Sequence, residues 1–127
     1  MKKIFYFVFI VLVTLTACKD NTVSPTNPPP KVPVLSVTYF FSHNWITGWG
    51  VDFQVKLKNS GQANATNIVL RFDYRATDFN QSYLDSIINV QWVDTIIPSG
   101  EQFKTFSYPL LTGYYVDSAN VTIVSYK

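Results

Sequence analysis

One thiol (Cys18), one imidazole (His43) and eight carboxylates are the groups from which this 127-residue chain would have to build catalysis or a metal centre. A site of Cys and His ligands needs several of them together, and the sequence supplies one of each. A Ser-His-Asp arrangement would have to recruit His43, which lies in Phe40-Phe41-Ser42-His43-Asn44-Trp45. A lone histidine in such a segment reads as a solvated loop residue. Asp52 and Asp73 alternate with apolar residues and so fall on the polar faces of strands. Asp78-Phe79-Asn80 offers the oxygen types that Ca²⁺ accepts, yet a single Asp-x-Asn is an ordinary loop sequence. No glycine-rich phosphate loop, HExxH or GxSxG is present. The residues point away from an enzyme, and neither a cofactor nor a metal site is expected.

Rings are what the chain has in surplus. Phe, Trp and Tyr make up 17% of the residues, enough to fill a small core and leave some over. Phe40, Phe41, Trp45 and Trp49 crowd one segment, and Tyr114-Tyr115 follow Gly113 in what reads as a loop. Trp45, Trp49, Tyr114 and Tyr115 are therefore the candidate binding aromatics. They could cap the core, grip a protein partner or stack on sugar faces. Asp85-Ser86-Ile87, Asp94-Thr95-Ile96 and Asp117-Ser118-Ala119 resemble the Asp-Ser/Thr-apolar acceptors of bacterial O-glycosylation.

The elements that must carry these residues begin with a leader. Lys2 and Lys3 precede an unbroken apolar run, Ile4–Val13, and Thr14-Leu15-Thr16-Ala17 then leads to Cys18. That is the layout of a secretory signal, and the run falls short of the roughly 20 apolar residues of a membrane span. Leu15-Thr16-Ala17-Cys18 resembles the lipobox of bacterial lipoproteins. The resemblance implies cleavage before Cys18, a diacylglyceryl group on its thiol and acylation of the new amine. Two or more chains, each buried methylene contributing roughly 0.8 kcal/mol, make such an anchor persistent. It also implies a cell-envelope address, with the outer membrane favoured; Lys19-Asp20 looks like a charged surface-sorting signal of some Gram-negative bacteria.

Cleavage would erase an apparent clue. The formal charge is +2, but Lys2 and Lys3 would leave with the leader, and eight basic residues would then face eight acidic ones. Residues 34–127 alone carry six basic and seven acidic side chains. The electrostatic footprint of nucleic-acid binding is missing. With Cys18 acylated, no thiol remains for a disulfide, and the domain must cohere by burial alone.

Residues 19–33 hold five of the seven prolines and read as an extended tether. At about 3.1 Å per residue it could hold a domain roughly 45 Å from a membrane. From Val34 onward the pattern has period two. Strands are expected at residues 34–41, 51–58, 68–75, 88–97, 103–110 and around 121–124, with 77–86 as loop. Short strands separated by turn signals predict an all-β antiparallel sandwich of about six or seven strands.

Residues 49–126 resemble the immunoglobulin-like domains of the FxLYD and CARDB (bacterial cell-adhesion-related) type. The likeness is carried by Asn59 and Gly61, Ala63 and Ala65, Ile68 and Leu70, then Pro98, Gly100 and Glu101, with Phe72-Asp73-Tyr74 as a loose FxLYD match. It implies turns and packing, not catalysis. The expectation is a signal peptide over 1–17, a lipidated Cys18 and tether over 18–33, and an Ig-like domain over 34–127. That domain would bind protein or scaffold in the envelope; the alternative is a carbohydrate-binding module using the four aromatics. Oligomeric state is left open.

Overall fold

Val51, Phe53, Val55 and Leu57 are inaccessible to solvent, while Gln54 and Lys58, which alternate with them, are exposed, so strand β2 (Gly50–Asn59) has one face in the core. The computed structural model describes residues 27–44 and 49–127; Cys18 with its leader, and Trp45, lie outside them. β3 (Ile68–Asp78) repeats the alternation with Ile68, Leu70, Phe72 and Tyr74 turned inward. These two strands are the centres of two antiparallel sheets, ordered β1-β2-β5 and β4-β3-β6. β1 is Leu35–Asn44, β4 Tyr83–Trp92, β5 Glu101–Pro109 and β6 Tyr114–Ser125. The described residues contain six strands and no helix, an all-β sandwich as the period-two pattern predicts.

The core is aromatic at its middle. Phe53 of one sheet meets Phe72 of the other edge-to-face at 5.2 Å, and Phe106 and Tyr108 of β5 pack on Phe72 at 5.1 and 5.6 Å. Burying each such ring stabilises the fold by about 2–3 kcal/mol, which is how a domain without disulfides holds together. Trp92 closes one side. It is buried, its Nε1 donates to Gln102 Oε1 at 2.9 Å, and Lys104 sits 4.8 Å above its ring while pairing with Asp94 at 2.6 Å.

Among the described residues Asn59 is the one buried polar residue outside this aromatic set, and all its side-chain hydrogen-bonding capacity is used. Its Oδ1 accepts from Val34 and Gly61 N–H, and its Nδ2 donates to Ala63 and Ile96 carbonyls at 2.8 and 2.9 Å. The Asn-x-Gly of the sequence is thus a knot joining the N-terminal segment, the β2–β3 link and the β4–β5 link. Gly61 must lack a side chain, because a Cβ there would collide with the Val32 carbonyl and the Val34 nitrogen.

Three expectations need correction. The segment 77–86 is not a loop: β3 runs to Asp78 and β4 starts at Tyr83, leaving a tight turn. Asp78 makes it tight by accepting from the N–H groups of Asn80 and Ser82 at 2.9 and 2.7 Å. Tyr114 and Tyr115 open strand β6, because the extended β3 gives them partners in Asp78 and Thr77. Residues 93–97 do not continue β4; only Ile96 bridges, to Ala65.

Candidate functional site

Strand direction decides which loops share an end. Leu35 pairs with Asn59 and Asn44 with Gly50, so the N-terminal segment enters beside the β2–β3 link, and the β1–β2 connection lies at the far end. Gly50 pairs with Pro109, Asp78 with Tyr114 and Thr77 with Tyr83. The β1–β2, β3–β4 and β5–β6 connections therefore gather at one end, and the N-terminal segment leaves from the other. The ten residues of β1 separate them by about 30 Å at about 3.3 Å per residue.

Aromatic residues populate this distal end. Phe79, at the tip of the β3–β4 turn, is 79% exposed and lies 6.2 Å from Tyr115. Tyr115 meets the His43 ring edge-on at 6.3 Å, and His43 meets Phe41 at 6.3 Å. A file of rings thus runs from the core to solvent. Tyr114 takes a different course and packs against the core. Gly113, at φ 89°, supplies the left-handed residue that turns the chain into β6.

Trp49 is half-buried at the start of β2, and its carbonyl accepts from Leu110 N–H at 2.8 Å, joining two of the distal connections. It lines a hollow of about 200 Å³ with Asn44, Asp52, Ser107 and Tyr108. Asn44 Nδ2 donates to Asp52 Oδ2 at 3.3 Å, whereas Asp52 Oδ1 and the Tyr108 hydroxyl are buried without a hydrogen-bond partner among the described residues. Burial, reinforced by nearby Tyr74, raises the Tyr108 phenol above its ordinary range. The Tyr108 ring packs on Phe53, Phe72 and Tyr74, so a small polar group in the hollow would meet Trp49, Asn44, Asp52 and Ser107.

A larger open hollow, about 450 Å³, lies on the outer face of the β4-β3-β6 sheet. Arg75 and Asp85 face each other there through two hydrogen bonds of 2.8 and 3.1 Å, and Tyr83 stacks under the guanidinium at 4.5 Å. The Arg75 hydrogen bond holds the Asp85 carboxyl below the usual carboxylate range.

The sequence-level candidates thus divide. Trp49 and Tyr115 come to the same end, Tyr114 faces the core, and Trp45 lies outside the described residues. His43 is not a solvated loop residue: it lies within β1, one residue from its end, and its Nε2 accepts from the Val116 backbone. Asp78 is spent on its own turn. Among the described residues no three His, Cys, Asp or Glu side chains gather as metal ligands, and no helix is long and apolar enough to cross a membrane. Of the three glycosylation-like triplets, Thr95 and Ser118 are exposed and Ser86 is half-buried. Phe79 was missed, although a large apolar residue inside the polar stretch Thr77-Asp78-Phe79-Asn80-Gln81-Ser82 is a readable signal.

No family model matches the chain, and no curated protein does. Among solved structures it is similar to the ApaA protein of Bordetella pertussis, with 14% identity and a TM-score of 0.46 over 78% of this chain and 94% of that one. A structural-genomics target, SoR45, matches at 14% identity and a TM-score of 0.38, over 76% and 83% of the two chains. Neither likeness carries a functional argument.

Proposed function

We propose that this chain is a lipid-anchored, non-catalytic protein of the bacterial cell envelope, whose sandwich binds a protein partner through its distal aromatic end. One observation carries the reading: Phe79, the most exposed ring, stands with Tyr115 beside it at the end of the domain opposite the N-terminal segment. With Cys18 acylated and residues 19–33 as a tether, the rings would lie at the end of each domain farthest from where its tether attaches. The tether would keep the domain concentrated near its partner. Relationship to the CARDB and FxLYD type of adhesion-related domain, and an outer-membrane address, belong to this proposal.

The test is binding of the full chain to isolated envelope. A Phe79→Ser/Trp49→Ser variant that keeps the wild-type far-UV spectrum should lose most of that binding. Undiminished binding would sink the reading.

A second reading, glycan recognition, draws on the hollow beside Trp49, where Asp52 and Ser107 stand next to the ring. Glycan-array binding that disappears with Trp49→Ala would favour it over a protein partner; an empty array would leave the first reading in place.

A further inference from the structure

A two-sheet sandwich presents four strand edges, and three of these are blunted against pairing. β1 and β6 face each other across a seam, where Tyr39 and His43 occupy two backbone groups of β6. β6 also carries two register shifts, and β5 has Glu101, Lys104 and a terminal Pro109. β4 has none of these devices. Its ten residues contain no lysine, arginine or proline, and its pairing with β3 has no register shift. Its one charge, Asp85, is neutralised by Arg75 within the same sheet. Both faces expose apolar groups: Tyr83 and Ile87 outward, Leu84 inward.

The hydrogen-bond phase of this edge can be read from the turn. Asp78 N–H donates to the Ser82 carbonyl, so alternation along the hairpin aims the backbone groups of residues 84, 86, 88, 90 and 92 at β3. Tyr83, Asp85, Ile87, Asn89 and Gln91 aim theirs out of the sheet. An added strand must pair with those five.

We propose that the partner is β4 of a second copy of this chain, antiparallel, about a two-fold axis at Ile87. This register sets Ile87 opposite Ile87 of the second copy, Asp85 opposite Asn89 and Leu84 opposite Val90. On the inner face Leu84 meets Val90 and Ser86 meets Ile88, and no like charges oppose. A slip of one residue would set outward-aimed groups against inward-aimed ones. A slip of two would leave the exposed Ile87 opposite Asn89. The product is one six-stranded sheet with an isologous interface. Antiparallel pairing places each copy's distal end beside the other's N-terminal segment, so the dimer offers an aromatic surface at both ends.

Cross-linking of the full chain in its own membrane tests this. Ile87→Cys should give a covalent dimer with a short thiol cross-linker, since opposed Cα atoms at such a position lie about 5.5 Å apart. Val124→Cys, exposed on β6, and the unsubstituted chain should not. In detergent solution the unsubstituted chain should sediment as a dimer. Ile87→Lys, a change at an exposed position, should abolish the dimer and keep the β spectrum. A monomeric wild type, a dimer indifferent to Ile87→Lys, or cross-linking at Val124 equal to that at Ile87 would overturn the proposal.

Discussion

His43 Nε2 accepts a hydrogen bond from the Val116 backbone N–H at 2.8 Å, joining an edge strand of one sheet to an edge strand of the other. Four residues before His43, Tyr39 donates its hydroxyl to the Ala119 carbonyl at 2.7 Å. Both side chains sit on the same face of β1, and together they tie the seam where the two sheets meet. The role assigned to the only imidazole is mechanical.

His43→Ala should leave Val116 N–H without its acceptor and destabilise the domain by about 1–3 kcal/mol. Tyr39→Phe, which removes one hydrogen bond and keeps the ring, should cost about 0.5–1.5 kcal/mol. Urea unfolding of the full chain measures both. If His43→Ala leaves the midpoint unchanged, the seam does not depend on this bond.

Asn59→Ala removes four hydrogen bonds from a buried position and strands their partners. A loss on the order of 3–4 kcal/mol is expected. Gly61→Ala should also destabilise, by forcing the N-terminal segment off the domain. Its signature is specific: proteolysis around Val32–Val34 should accelerate more than proteolysis at the distal loops.

The contributions of three carboxyls and one phenol should be constant between roughly pH 4 and pH 10. On the acid side, Asp85, Glu101 and Asp117 are all held below the ordinary carboxylate range. Hydrogen bonds from Arg75, Lys58 and Thr77, respectively, are the leading causes. A depressed carboxyl contributes stability above its unfolded value and loses it as pH falls through the folded one, so the decline should begin below about pH 4. On the alkaline side, the Tyr108 phenol is raised by burial, so its contribution is intact below about pH 10 and fades above. Replacing Arg75 by Gln should flatten the acid limb; an unchanged limb would show that the Arg75–Asp85 pair does not shape it.

The central strands and the edge strands β1 and β5 were legible in the sequence, whereas the bounds of β4 and the start of β6 were not. Val51-Asp52-Phe53-Gln54-Val55-Lys56-Leu57 alternates because β2 has one face in the core and one in water, and the same holds for β3. Edge strand β5 still alternates, but the first residues of β4 are all exposed and their pattern is lost. β4 mixes Tyr83, Leu84 and Ile87 on both faces, and the start of β6 is bulged, which hides its period. The distal site was half legible: rings near Trp49 and Tyr115 mark it, but whether a given tyrosine faces the core depends on register, as Tyr114 shows. His43 could not be placed, since its partner is a backbone group 73 residues away.

Cys18→Ser in the full chain should move the protein from the membrane fraction to the soluble fraction, with a mass change matching loss of two or three acyl chains. Retention in the membrane by the variant would contradict the lipid anchor.

Most direct of all is a comparison of the two ends of the domain. The full chain is bound to isolated envelope as wild type, as a distal variant (Phe79→Ser/Trp49→Ser) and as a variant of the opposite end (Val93→Ser/Ile97→Ser), where both replaced side chains are exposed. Binding lost in the distal variant and kept in the other is the expected result. Equal binding by all three, or loss confined to the opposite end, would contradict the assignment of the aromatic end as the binding surface.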